Sequence, residues 1–209
     1  MSNIMSNLKK IEEIKSLTMV SDDRIDGLIE IISPFYLKTD KAHGLDHVLD
    51  VTITMIKMKI KLFIKDESCI DENILVAGLC HDMFSTLEDR KIHNEKGAIW
   101  ISKNSDKLQN LFQIDNTRAI ELAILEHRSS WKQEFSSTLS ELISSADRGY
   151  LNLDDMIERS LKYHNGNMEE VIKHMREKFG RTGYAKYPQI FLDFHDDDLE
   201  YFYDDIDSL

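Results

Sequence analysis

The stretch Ile74-Leu75-Val76-Ala77-Gly78-Leu79-Cys80-His81-Asp82 decides the fold class, because an apolar run of this length is either a buried strand or a buried helix. Length alone does not separate the two. Asp71-Glu72 opens the segment, and no other part of the chain reads as a strand that would pair with it, so the reading is helix. The run closes on His81-Asp82. A neutral imidazole beside a carboxylate at one helix end suits a divalent cation such as Mn, Fe, Co, Ni or Zn. His47 lies upstream of the pair and Asp147 downstream.

Around this run the other apolar segments are also helical in period. Residues 44 to 63 carry Val48, Val51, Ile53, Met55, Ile56, Met58, Ile60 and Leu62, too continuous for a narrow stripe and too long for a strand. They predict a buried central helix with His47 near its start. Leu8, Ile11, Ile14 and Leu17 recur every three residues, and Ser21-Asp22-Asp23 reads as an N-cap with acids in the first turn, giving two short helices before Pro34. Helices are further predicted over 93–102, 115–127, 138–148, 154–163 and 168–179, with Asp115 and Asn167 as caps and Gly180 as a stop. Gly180 to Tyr184 is loop-like, and Asp193 to Asp207 reads as an acidic amphipathic tail helix whose aromatics pack on the parent domain or a second subunit.

Composition agrees with an all-α chain. Only 2 Pro and 8 Gly in 209 residues leave little of the punctuation that many tight β-turns need. The length favours one domain, a helical bundle around a buried metal site. Its expected parts are N-terminal helices over 1–40, a metal-binding core over 41–150, and C-terminal helices with the acidic aromatic tail over 151–209. With 26 Lys+Arg against 38 Asp+Glu the net charge is −12, which repels polyphosphate backbones and argues against a nucleic-acid polymer as partner. Small anionic substrates remain compatible with a locally basic pocket. Cys69 and Cys80 are too few for a disulfide framework, and no segment reaches the roughly 18 apolar residues that span a bilayer. The expectation is a cytoplasmic protein without membrane attachment, with a homo-oligomer allowed.

In chain order the candidate metal ligands are His47, His81, Asp82, His93, His127 and Asp147. The His…His-Asp…Asp pattern of His47, His81-Asp82 and Asp147 resembles the HD-domain phosphohydrolase superfamily, over roughly residues 40 to 150. His43-Gly44-Leu45-Asp46-His47, His93-Asn94-Glu95-Lys96-Gly97, Glu126-His127-Arg128-Ser129-Ser130 and Ser145-Ala146-Asp147-Arg148 are similar to a bacterial subgroup of it with additional histidines.

That resemblance implies a metal-dependent phosphohydrolase, a phosphatase or phosphodiesterase, cleaving a phosphoester or phosphoanhydride bond of a nucleotide or related small phosphorylated metabolite. Such hydrolysis needs a nucleophile at neutral pH, and a bound cation supplies it by lowering the pKa of its water from about 15.7 towards 7. By the resemblance, His47, His81, Asp82 and Asp147 hold one ion, and His93 and His127 hold a second with Asp82 bridging the two. One or two ions of Mn, Fe, Co, Ni, Zn or Mg fit the donors, and the number stays open. Arg90, Lys91, Arg128 and Arg148 sit beside these ligands in sequence and are candidates for phosphate contact, the arginines ahead of Lys91 because a planar fork matches phosphate oxygens. Glu88 and Asp89 are candidates for orienting the water or protonating a leaving group, with Asp82 as the third catalytic candidate. His43 is read as hydrogen-bonding a ligand or capping the helix that enters at Gly44, ahead of binding metal directly. A nucleotide-binding sensor without turnover is the alternative, and an interaction protein built on the acidic tail is the third reading.

Overall fold

The apolar run is a helix. In the computed structural model, which describes residues 2–39, 43–149, 151–184 and 187–209, every regular element among the described residues is helical. The boundaries drawn on sequence at residues 40 and 150 fall outside the described residues. Twelve α-helices and a 3₁₀ turn at Glu67–Cys69 are described, and they gather into two compact units, Met1–Arg148 and Gly149–Leu209.

The first unit holds α1 (Ser2–Leu17), α2 (Asp22–Tyr36), α3 (Leu45–Lys61), α4 (Asp71–Cys80), α5 (His93–Lys103), α6 (Ser105–Phe112), α7 (Arg118–Glu126) and α8 (Thr138–Asp147). The central elements are α3 and α4, which pack on each other; α1 and α8 close over α3, while α2, α7 and α8 close over α4. Their sequences explain this placement. From Asn73 to Cys80 every residue of α4 is buried, and α3 is buried between Val48 and Met58 except along a narrow charged stripe of Asp50 and Lys57, so both helices are central.

Gly78 sets how closely α3 and α4 approach. A Cβ there would come within 2.5 Å of Thr52 Oγ1 and 3.2 Å of Thr52 Cα. The Thr52 hydroxyl is not free to swing away, since it donates to Val48 O at 2.7 Å. Gly78→Ala is therefore expected to destabilise the protein by about 1–3 kcal/mol, the usual effect of overpacking, read as a lower midpoint in chemical denaturation.

Several local expectations are corrected. α2 runs through Pro34 to Tyr36 rather than stopping before it. A proline in the last turn removes only one helical bond, and Ser33 Oγ donates to Ile29 O beside it. Asp115 does not cap α7: that helix begins at Arg118, whose backbone N–H donates to Asn116 Oδ1. Helix α6 lies where the sequence suggested nothing.

The second unit comprises α9 (Leu153–Tyr163), α10 (Met168–Phe179), α11 (Gln189–Phe194) and α12 (Asp196–Ser208). Asn167 caps α10 as expected, accepting from the N–H groups of Glu169 and Glu170. The acidic tail is two helices, broken at His195, whose backbone leaves the helical region. Phe202 and Ile206 of α12 are buried, and Arg181 reaches this helix through Glu200 at 2.7 Å and Asp204 at 2.6 Å. No helix among the described residues is long and apolar enough to cross a membrane.

Candidate metal centre

The first unit brings the six proposed ligands together at helix ends. His47 sits in the first turn of α3, while His81 and Asp82 leave the C-terminus of α4. His93 opens α5, His127 follows α7 and Asp147 ends α8. A helix C-terminus carries partial negative charge on its unsatisfied carbonyls, which favours a cation near the ends of α4, α7 and α8.

Three of the histidines use the same local device. Nδ1 of His81 lies 2.8 Å from Gly78 O, Nδ1 of His93 lies 2.8 Å from Arg90 O, and Nδ1 of His127 lies 2.6 Å from Ile124 O. Each ring thus folds back on the carbonyl three residues earlier. A carbonyl only accepts, so Nδ1 carries the hydrogen and the neutral ring leaves Nε2 as an electron-pair donor. All three Nε2 atoms face the carboxylates.

The carboxylate of Asp82 divides the ligands into two groups. Its Oδ2 lies 3.5 Å from Nε2 of both His47 and His81, and Asp147 Oδ1 lies 3.1 Å from His47 Nε2 and 3.7 Å from His81 Nε2. Its Oδ1 lies 3.2 Å from His93 Nε2 and 3.8 Å from His127 Nε2. Donors around one ion at about 2.1 Å are separated by about 3.0 to 3.4 Å in octahedral or tetrahedral arrangement. The two groups, His47/His81/Asp82/Asp147 and Asp82/His93/His127, are each compatible with one metal ion.

Two further observations fit this donor set. His81 Nε2 is fully buried and forms no hydrogen bond, the nearest carboxylate oxygen standing 3.5 Å away, and a buried polar atom left so costs about 1–3 kcal/mol. The Nε2 atoms of His93 and His127 stand 3.1 Å apart with both Nδ1 hydrogens already donated to carbonyls. Two lone pairs at that distance, with a carboxylate oxygen beside them, are reconciled only by a proton or a metal cation.

The electrostatics favour positive charge at this centre, which a metal cation or a proton on His81 supplies. Burial alone would keep the His81 ring neutral, but the Asp82 and Asp147 carboxylates outweigh it and push the ring up to about 9. Burial together with charge on His81 pulls His127 down to about 4, leaving it a neutral donor at pH 7. Burial opposes the ionised forms of Asp82 and Asp147 as well. The surrounding imidazoles prevail, and both carboxyls are held below the ordinary carboxylate range.

Side chains from neighbouring elements take up the carbonyls at these helix ends. Tyr36 donates to Leu79 O at 2.6 Å, Asn94 to Leu125 O at 2.7 Å, and Ser144 to His127 O at 2.8 Å. Gly97 lets α5 approach α7 closely, since a Cβ there would come within 2.8 Å of Ile124 Cγ2. Sequence reasoning passed over these supports, although Asn94 directly follows a ligand.

The other candidates are arranged differently. Arg128 donates to Lys91 O at 2.6 Å, and Arg148 donates to the carbonyl and, at 2.7 Å, to the hydroxyl of Ser144 in its own helix. Asp89 pairs with Lys96 at 2.6 Å, while Glu88, Arg90 and Lys91 are exposed. The His43 ring lies 6.0 Å from that of His47, between centroids. Comparison with protein-family models, with curated proteins and with solved structures returned no match for this chain.

Proposed function

We propose that this protein is a metal-dependent phosphohydrolase of the HD type, acting on a nucleotide or a related small phosphorylated metabolite. The observation that carries the reading is the sharing of Asp82, one carboxylate oxygen for each ligand group, in a largely buried set of donors in which backbone carbonyls fix the tautomers of His81, His93 and His127. Bound ions would supply an activated water and neutralise charge on the phosphoryl oxygens.

The chain's own residues do the rest. His47, His81, Asp82 and Asp147 would hold one ion, and Asp82, His93 and His127 the other. The four-residue group offers two carboxylates and two imidazoles, whereas the three-residue group has a single shared carboxylate oxygen and so leaves more positions for water or substrate. Arg128 and Arg148 follow the ligands His127 and Asp147 in the chain and are the candidates for phosphate contact, once released from Lys91 O and Ser144.

The test is a panel of nucleotides and small phosphate esters with Mn, Co, Ni, Zn and Mg, read as phosphate release alongside metal content. His93→Ala and His127→Ala are each expected to lower bound metal by about one equivalent, and His47→Ala to remove the other. Unchanged stoichiometry in the first two would sink the second position. Tight metal binding with no turnover of any phosphorylated compound would favour a nucleotide sensor instead.

A further inference from the structure

Asp82 serves two ligand groups only if the plane of its carboxylate is held still. The last torsion of an aspartate is soft, with no staggered wells to fix it. Rotation would turn both oxygens towards one group and starve the other. What opposes rotation is Ser85, which is completely buried and donates its hydroxyl to Asp82 Oδ1 at 2.9 Å. The same residue is itself fixed, because its backbone N–H donates to Asp82 O at 2.9 Å and closes the turn that follows α4.

The Ser85 bond falls on Oδ1, the oxygen that faces His93 and His127, and not on Oδ2, which faces His47 and His81. Loosening it therefore acts unequally. The group with His47, His81 and Asp147 keeps a second carboxylate and tolerates a mobile Asp82. The group with His93 and His127 has no other anionic donor.

Resting on the two-ion reading above, we propose that Ser85 is a positioning residue: it locks the plane of the Asp82 carboxylate, and the Asp82/His93/His127 position depends on that lock. Its contribution acts through Asp82 and not through contact with substrate.

Mn(II) titration of the metal-stripped full chain, followed by electron paramagnetic resonance, tests this. Wild-type protein is expected to take up two equivalents and to show the exchange-coupled signal of two ions sharing a carboxylate. Ser85→Ala is expected to bind the first equivalent within about threefold of wild type and the second about 10- to 100-fold more weakly, the usual loss when a ligand's supporting hydrogen bond is removed. Its coupled signal should appear only at correspondingly higher Mn(II). Ser85→Cys, similar in size and a weaker donor, should fall between the two and serves in place of the alanine variant if that fails to fold. Wild-type affinity and coupling in either variant would overturn the proposal, as would loss of both equivalents from a folded variant. Failure of the wild-type protein itself to bind two ions would instead overturn the two-ion reading on which the proposal rests.

Discussion

Asp82→Asn is expected to weaken both metal equivalents by more than about 100-fold and to leave no metal-dependent phosphate release. No other single substitution among the six ligands should do this, because only Asp82 has an oxygen in each group. Asparagine keeps the shape of the side chain, so packing around the turn after α4 is preserved and the helical circular dichroism should be unchanged. What it loses is the charge that offsets burial of the imidazoles, and one of the two oxygens becomes an amide nitrogen that only donates. That nitrogen cannot serve an ion, whichever group it faces. Metal content after dialysis, measured beside the His93→Ala and His47→Ala proteins, separates the outcomes. An Asp82→Asn protein that retains both tight equivalents would overturn the shared carboxylate.

Metal loading should also raise thermal stability substantially. A ligand present at about 1,000 times its dissociation constant stabilises the folded state by about 4 kcal/mol, provided the unfolded chain does not bind it. For a unit of this size that corresponds to a rise of roughly 8–16 °C in the melting temperature. The shift should be at the upper end here, because without a cation the His93 and His127 nitrogens face each other at 3.1 Å and His81 Nε2 is buried without a partner. Both tryptophans, Trp100 and Trp131, lie in the Met1–Arg148 unit, so intrinsic fluorescence follows the unit that carries the centre. Chelation should reverse the shift, and Asp82→Asn should not show it. A melting curve that ignores saturating Mn(II), Co(II) and Zn(II) would count heavily against a metal centre.

The sequence was most readable where burial is nearly complete. α4 is apolar on all sides and α3 nearly continuously apolar between its charged positions, so their helical identity followed from length and from the lack of strand partners. α10 was readable for another reason: Asn167 caps its start in the ordinary way, and Gly180 follows its last residue in an extended conformation. The six ligands stood out because each lies near the end or on one face of a predicted helix.

Short elements without clear punctuation were hidden. Only Leu108 and Phe112 of α6 are buried, and its end is marked by Gln113 in a left-handed conformation where a glycine would have signalled a stop. The broken tail was hidden too, since His195 is no recognised helix breaker. Supporting hydrogen bonds were the least visible of all. Asn94 and Ser144 act on carbonyls of α7 and of His127, and nothing in their own neighbourhoods reveals which helix end they will meet.

The repeated closure of a histidine ring onto the carbonyl three residues before it has a wider consequence. In His81, His93 and His127 the backbone carbonyl three residues earlier holds Nδ1 and turns Nε2 outward. Each donor is thus a portable unit that needs only a turn of chain and an open end. A centre assembled from such units tolerates drift in the residues between its ligands, because what must be inherited is the position of the helix ends rather than a particular lining.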